Sequence, residues 1–230
     1  MWRALPIILI LGACANQNFD NLGAEYLGLQ YKNNPLGEAV APDDDPLIRF
    51  DAFDCATFVE TVLAGGDVKK LNKIRYANGI PNIKNRNHFI ETDWIKNNSW
   101  LVQDVTREYG DVRSINVIID KQNWFKKNYD INLDIPEKNI NLEYIPYENI
   151  SAIKNKKPMI ILFITKSGKI KTRIGTDLAV RHMGFLMPNG VLRHASKKLG
   201  HVVDVKFSEY AKQIMENKNN LGIMLLEIKK

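Results

Sequence analysis

Cys55 follows Asp54, a residue type that caps helices well, and precedes Phe58, Val59, Val62 and Leu63 at helical spacing, with Gly65-Gly66 as a stop. A helix over Cys55–Ala64 is predicted, with the thiol in its first turn. Unpaired backbone N–H groups and the positive end of the helix dipole there favour thiolate over thiol, as a nucleophile requires. The expectation is a Cys55 pKa lowered by the helix end and by a nearby imidazolium, with Asp54 opposing slightly. Read alone, a lone cysteine is more often a small buried hydrophobe. The histidines weigh against that reading: the chain has four, and His182 and His194 both fall in the stretch RHMGFLMPNGVLRHAS, which reads as strand, turn, strand. A thiol nucleophile needs a base, and the base needs an orienting partner.

Whether the two imidazoles can cooperate depends on hairpin register. A two-residue Asn189-Gly190 turn sets Met187 against Leu192 and sends His182 and His194 to opposite faces. A three-residue Pro188-Asn189-Gly190 loop sets Met187 against Val191 and Gly184 against His194, so that both rings share a face. The residues alone leave both open; a shared site demands the second, with Gly184 leaving room over that face.

The elements that must hold these groups divide by position. Asn21 to Gln30 can form a short helix, followed by a loop rich in Pro, Gly and Asp up to Phe50, with Asp43-Asp44-Asp45-Pro46 as its turn signal. Further helices are predicted over Val68–Tyr76 and over His88–Asn97, where Ile90 and Trp94 share a face and Trp94 packs in the core. Asp104 to Asn149 gives no clear pattern. Met159–Thr165, Ala179–Met187, Val191–Ala195, His201–Val205 and Gly222–Ile228 read as strands of an antiparallel sheet, with a helix over Phe207–Glu216 before the last. A helical first half and a sheet-forming second half make an α+β fold.

At 230 residues and 45% hydrophobic, the chain suits one globular domain and excludes a disordered, collagenous or coiled-coil protein. Its two cysteines, Cys14 and Cys55, lie in stretches too different to suggest a disulfide framework. The N-terminus reads as an address: Arg3, then the apolar run Ala4 to Ile10, then Leu11-Gly12-Ala13-Cys14, which resembles a bacterial lipobox. The resemblance implies a signal peptide over 1–13, lipidation of Cys14, and a single domain over 14–230. With no Asp after Cys14, it also implies an envelope location on the outer membrane, facing the periplasm. Without Arg3 the chain keeps 31 basic against 26 acidic residues. The clusters Lys154 to Lys157 and Lys169 to Arg173 read as solvated loops; no nucleic-acid surface is indicated.

The strings FDAFDCATFVETVLA, RNHFIETDWIKNN with LVQDVT, and RHMGFLMPNGVLRHAS together resemble the N-acetylmuramoyl-L-alanine amidase-like branch of the NlpC/p60 superfamily of papain-like cell-wall hydrolases, from about Tyr26 to Tyr210. The resemblance implies N-terminal helices carrying the Cys, packed on a C-terminal antiparallel sheet carrying the His residues. It makes Cys55 the nucleophile, His182 the general base and His194 the orienting residue, with Tyr31 lining the nucleophile's site. The implied substrate is peptidoglycan or soluble muropeptides, cut at the amide between N-acetylmuramic acid and L-alanine. Ala56 departs from the small hydroxyl residue common after the cysteine, and Lys157-Pro158 from a Gly-Asp pair. With no added binding module evident, Glu38, Arg86 and Asp93 are the candidate substrate-holding charges, since a muropeptide carries carboxylates, amides and an ammonium group.

A zinc hydrolase is disfavoured by the lack of HExxH and of any Cys-x-x-Cys pair, so neither metal nor cofactor is expected. A peptidoglycan endopeptidase on the same fold, an acyl-transfer enzyme resolving the same thioester with an amine, and a non-catalytic glycan-binding lipoprotein are the competing readings. A monomer is expected.

Overall fold

A computed structural model describes residues 21–229; the lipobox and Cys14 lie outside them. Its strands are β1 (Gln30–Tyr31), β2 (Ala52–Phe53), β3 (Val102–Asp104), β4 (Arg113–Ile119), β5 (Lys138–Pro146), β6 (Met159–Thr165), β7 (Val180–Leu186), β8 (Val191–Ser196), β9 (His201–Lys206) and β10 (Asn220–Ile228). The α-helices are α1 (Cys55–Ala64), α2 (Val68–Arg75), α3 (Ile95–Asn97), α4 (Lys121–Tyr129), α5 (Lys169–Ile174) and α6 (Phe207–Ile214). The strands form one sheet in the order β2-β1-β9-β8-β7-β6-β10-β5-β4, with β3 on β10. Pairing from β9 through β4 is antiparallel, and only β1 and β2 run parallel. The architecture is α+β.

Two apolar layers hold the sheet. On one face α1 lays Phe58, Val59, Val62 and Leu63 against Met183, Phe185 and Ala195. On the other, α6 lays Phe207 and Ala211 against Phe163, Leu186 and Leu192. Alternation along β7 therefore sends odd-numbered side chains toward α1 and even-numbered ones, His182 among them, toward α6. Helix α1 begins with a capping box: Asp54 accepts from Thr57 N–H at 2.8 Å, and Thr57 Oγ1 accepts from Asp54 N–H at 2.9 Å. It stops at Gly65, whose φ of 65° suits a residue without a side chain. Buried Glu60 ties this helix to its neighbours through Arg75 at 2.5 Å and Trp94 Nε1 at 3.0 Å.

Three sequence expectations change. The helix over Asn21 to Gln30 shrinks to a 3-10 turn at Ala24–Tyr26, because Gly23 and Gly28 take φ of 72° and 83° and interrupt it. The helix over His88–Asn97 starts only at Ile90, as a π-helical turn running into α3, and leaves His88 outside. Lys169 to Arg173 belongs to the short helix α5 instead of a loop. The unreadable middle is a β4–β5 pair, Arg113 against Tyr144 through Ile119 against Lys138, connected by α4.

Candidate active site

Hairpin register decides whether the histidines meet. Phe185 opposes Arg193, Leu186 opposes Leu192, and Met187 N–H donates to Val191 O at 2.8 Å, so the connection is the three-residue loop Pro188-Asn189-Gly190. Gly190 closes it with φ of 76°. The same register carries Gly184 to His194, where a Cβ on Gly184 would lie 2.9 Å from His194 Cβ and 2.7 Å from Arg193 O. His182 Nε2 stands 2.6 Å from His194 Nδ1. If His182 is to take a proton at Nδ1, its Nε2–H must donate to His194 Nδ1, which puts the second ring's proton on Nε2. That Nε2 is buried and has no partner among the described residues.

The thiol enters where the sheet opens. β7 and β8 pair only at Phe185–Arg193 and Leu186–Leu192 and part before His182 and His194. The N-terminus of α1 packs against β7 and β8 at this point, and the N–H groups of Met183, Ala56 and Cys55 itself face the sulfur. The residue after His182 thus turns its N–H toward the thiol; among the described residues Cys55 makes no hydrogen bond to the His182 ring. Half-buried Tyr31 lies near the thiol at the end of β1, and burial, with Asp54 second, pushes its hydroxyl up to about 12.

The expected lowering of the Cys55 pKa is reversed. Burial pushes the thiol up to about 12 and Asp54 adds to the rise, while the three N–H groups pull the other way and lose. Burial, then the neighbouring His194, pushes His182 down to about 3, and burial pushes His194 down to about 4 against the opposing charge of Asp204. The site therefore holds a neutral thiol beside neutral imidazoles.

The proposed substrate-holding charges are already engaged. Arg86 forks onto Glu38 with both contacts at 2.7 Å and also bonds Asp43 at 2.7 Å. This cluster reaches Asp54 through Asn34, which accepts from Arg86 at 3.4 Å and donates its N–H to Asp54 Oδ2 at 3.1 Å. It braces the loop next to the start of α1. Asp93 lies buried against Lys121 Nζ at 2.9 Å. Of the residues singled out from sequence, Cys55, Tyr31, His182 and His194 come together; Glu38 and Arg86 stand one link behind, and Asp93 belongs to a separate ion pair.

Two residues escaped the sequence reading. Tyr210 on α6 sets its ring 5.1 Å from His194 and 6.3 Å from His182. Burial, with the charge of Cys55 second, raises its hydroxyl to about 12. Phe207, Tyr210, Ala211 and Ile214 recur at helical spacing, a signal that this face is buried. Glu91 accepts the N–H groups of Ala179 and Val180 at 2.7 and 2.9 Å through one oxygen. It clamps β7 beside the bulge at Arg181, where the register passes from Phe163–His182 to Ile164–Val180.

A family model described as N-acetylmuramoyl-L-alanine amidase-like matches residues 21–219. Among solved structures, a Legionella pneumophila protein of the family DUF1460 is 26% identical with a TM-score of 0.83, covering 92% of this chain and 88% of that one. An N-acetylmuramoyl-L-alanine amidase from Bacteroides uniformis is 27% identical with a TM-score of 0.69, covering 92% and 97% of the two chains. No protein of curated function matches the sequence.

Proposed function

We propose that this chain, which belongs to the N-acetylmuramoyl-L-alanine amidase-like family, is a cysteine hydrolase of papain-like, NlpC/p60 type that cuts the amide between the lactyl group of N-acetylmuramic acid and L-alanine. The observation that carries the reading is the thiol of Cys55 at a helix N-terminus, facing the N–H of Met183, the residue next in sequence to a His182 ring bonded to His194. Peptidoglycan or its soluble muropeptides are the substrate in this reading.

Chemistry follows from the neutral resting pair. As Cys55 Sγ attacks the lactyl carbonyl, its proton passes to His182 Nδ1, and the His182 Nε2–H bond to His194 strengthens as the ring becomes charged. The carbonyl oxygen becomes an oxyanion, and the Cys55 backbone N–H can receive it. Collapse breaks the C–N bond, the L-alanine nitrogen leaves with the proton from His182, and a thioester remains. Water, deprotonated by His182, attacks the thioester; the lactyl carboxylic acid leaves and the thiol regains its proton.

Mass spectrometry of muropeptides incubated with the wild type and with Cys55→Ser tests the reading. The expected result is a free L-alanine amino terminus and an intact sugar acid from the wild type alone. Fragments cut inside the peptide would make the protein an endopeptidase, an amine-capped product would make it an acyl transferase, and no cleavage at all would leave a glycan-binding protein. We also propose that Cys14 is lipidated and tethers a monomeric domain to the envelope, at the outer membrane. Cys14→Ala should release the protein from membranes or block its processing, and equal solubility of both forms starting at Met1 would refute the anchor.

A further inference from the structure

His182 must hand its proton to the departing nitrogen, so in the proposed reaction the leaving half of the substrate lies on the imidazole side of the thiol. A recess of about 600 Å³ opens on that side. His182, His194 and Tyr210 line it, Cys55 does not, and Lys197, Lys198 and Lys206 also line it. Its charge is unbalanced. Lys206 is shared with Glu209 at 3.2 Å, whereas Lys197 and Lys198 are exposed and form no ion pair among the described residues.

These two lysines are held in register with the nucleophile. They sit in the turn between β8 and β9, two residues or more beyond Ala195 and three beyond His194 at the nearest. Gly200 N–H donates to Ser196 O at 2.8 Å and Leu199 N–H to Ser196 Oγ at 3.2 Å, which closes the turn. Gly200 O in turn accepts the N–H of Tyr31 at 2.8 Å, and Tyr31 stands beside Cys55. The turn that carries the cations is thus fastened to the residue that walls the thiol.

Resting on the amidase reading above, we propose that this recess seats the peptide half of the substrate and that Lys197 and Lys198 select peptides bearing a free carboxylate close to the cleaved amide. The sugar half then lies on the other side of the thiol. The enzyme is in this sense selective for an acidic peptide, and replacing that carboxylate by a carboxamide removes the charge while keeping the size.

Two substrates that differ only there provide the test: N-acetylmuramoyl-L-alanyl-glutamate and its carboxamide counterpart. At low ionic strength kcat/KM for the carboxylate form should exceed that for the carboxamide by about tenfold or more, and added salt should shrink the ratio. Lys197→Ala/Lys198→Ala, two exposed positions, should bring the two substrates to within about twofold of each other, acting through KM. A ratio near one in the wild type, or one that the double variant leaves unchanged, overturns the proposal. Should the wild type cleave neither substrate, the amidase reading fails, and calorimetric binding of L-alanyl-glutamate then decides the recess. Binding that weakens about tenfold in the double variant upholds it, and absent or unchanged binding overturns it.

Discussion

Cys55 and His182, the pair proposed to do the chemistry, are each held neutral by burial, and a second side chain modulates each. For Cys55 that side chain is Asp54, which caps α1 and also raises the thiol. Asp54→Asn keeps an oxygen to cap the helix but removes the charge, so the thiol pKa should fall. The alkylation rate of Cys55 against pH should move to lower pH, with thermal stability nearly unchanged; an unmoved profile would show that the thiol does not feel this carboxylate. For His182 it is His194, whose Nδ1 lies 2.6 Å away. His194→Ala should lower kcat substantially, while His194→Asn, whose side-chain oxygen can stand near that Nδ1, should retain more. His182→Ala should abolish turnover, because His182 is the base proposed to take the thiol's proton, and His194 would be left without the ring it orients. Equal losses in the two His194 variants would mean that the ring does more than orient its neighbour.

At the scale of elements, the two histidines meet because β7 and β8 run close at Gly184. The glycine allows that approach: a Cβ there would press on Arg193 O at 2.7 Å and His194 Cβ at 2.9 Å. Neither atom yields easily, since one is backbone and the other is the root of a buried side chain. Gly184→Ala should therefore cost about 1–3 kcal/mol of stability and displace His194 from His182. Urea unfolding together with turnover checks this, and a stable, fully active variant would refute the close approach. Glu91 works on the same strand from its other end, where its two N–H bonds beside the bulge keep even-numbered side chains on the α6 face. A one-residue slip there would turn His182 toward α1.

Across the whole molecule, three histidines, His194 buried and His88 and His182 half-buried, set the acid limit. Burial pushes His88 and His182 down to about 3 and His194 to about 4, from an ordinary 6.5. The rings stay neutral in the fold, while the unfolded chain takes up protons below 6.5. The stability they contribute is full above pH 6.5 and falls as pH drops toward 3–4, by about 1 kcal/mol per pH unit for each ring. Glu60 and Glu91, raised by burial, oppose this as they protonate. Cys55 sets the alkaline limit, because the fold keeps it protonated to about 12 while the unfolded thiol ionises near 9.0. Stability should therefore be greatest between about pH 6.5 and 9. His88 sits among the rings of Trp124, Phe125 and Tyr129. Denaturant melts of His88→Gln should show a shallower acid slope than wild type; parallel slopes would mean that His88 titrates as an ordinary histidine.

The helix bearing Cys55, the strands bearing the histidines and the α+β order were legible in the sequence because each rests on local signals: a cap, a glycine stop, and periods of two or 3.6 residues. Hairpin register was not legible, since both loops suit Pro188-Asn189-Gly190 locally and pairing across the sheet decides between them. Burial was equally hidden. A helix N-terminus lowers a thiol's pKa in isolation, but the packing of α1 against β7 and β8 desolvates the sulfur and reverses the sign. Glu38 and Arg86 looked like open charges until folding brought positions 48 apart in the chain into one ion pair. Tyr210 joined the site only because α6 lies across the sheet above His194. Residue types and spacing determine which groups can do chemistry. Which of them meet, and in which protonation state, depends on contacts between distant segments and on the water those contacts exclude, and only the folded chain makes them.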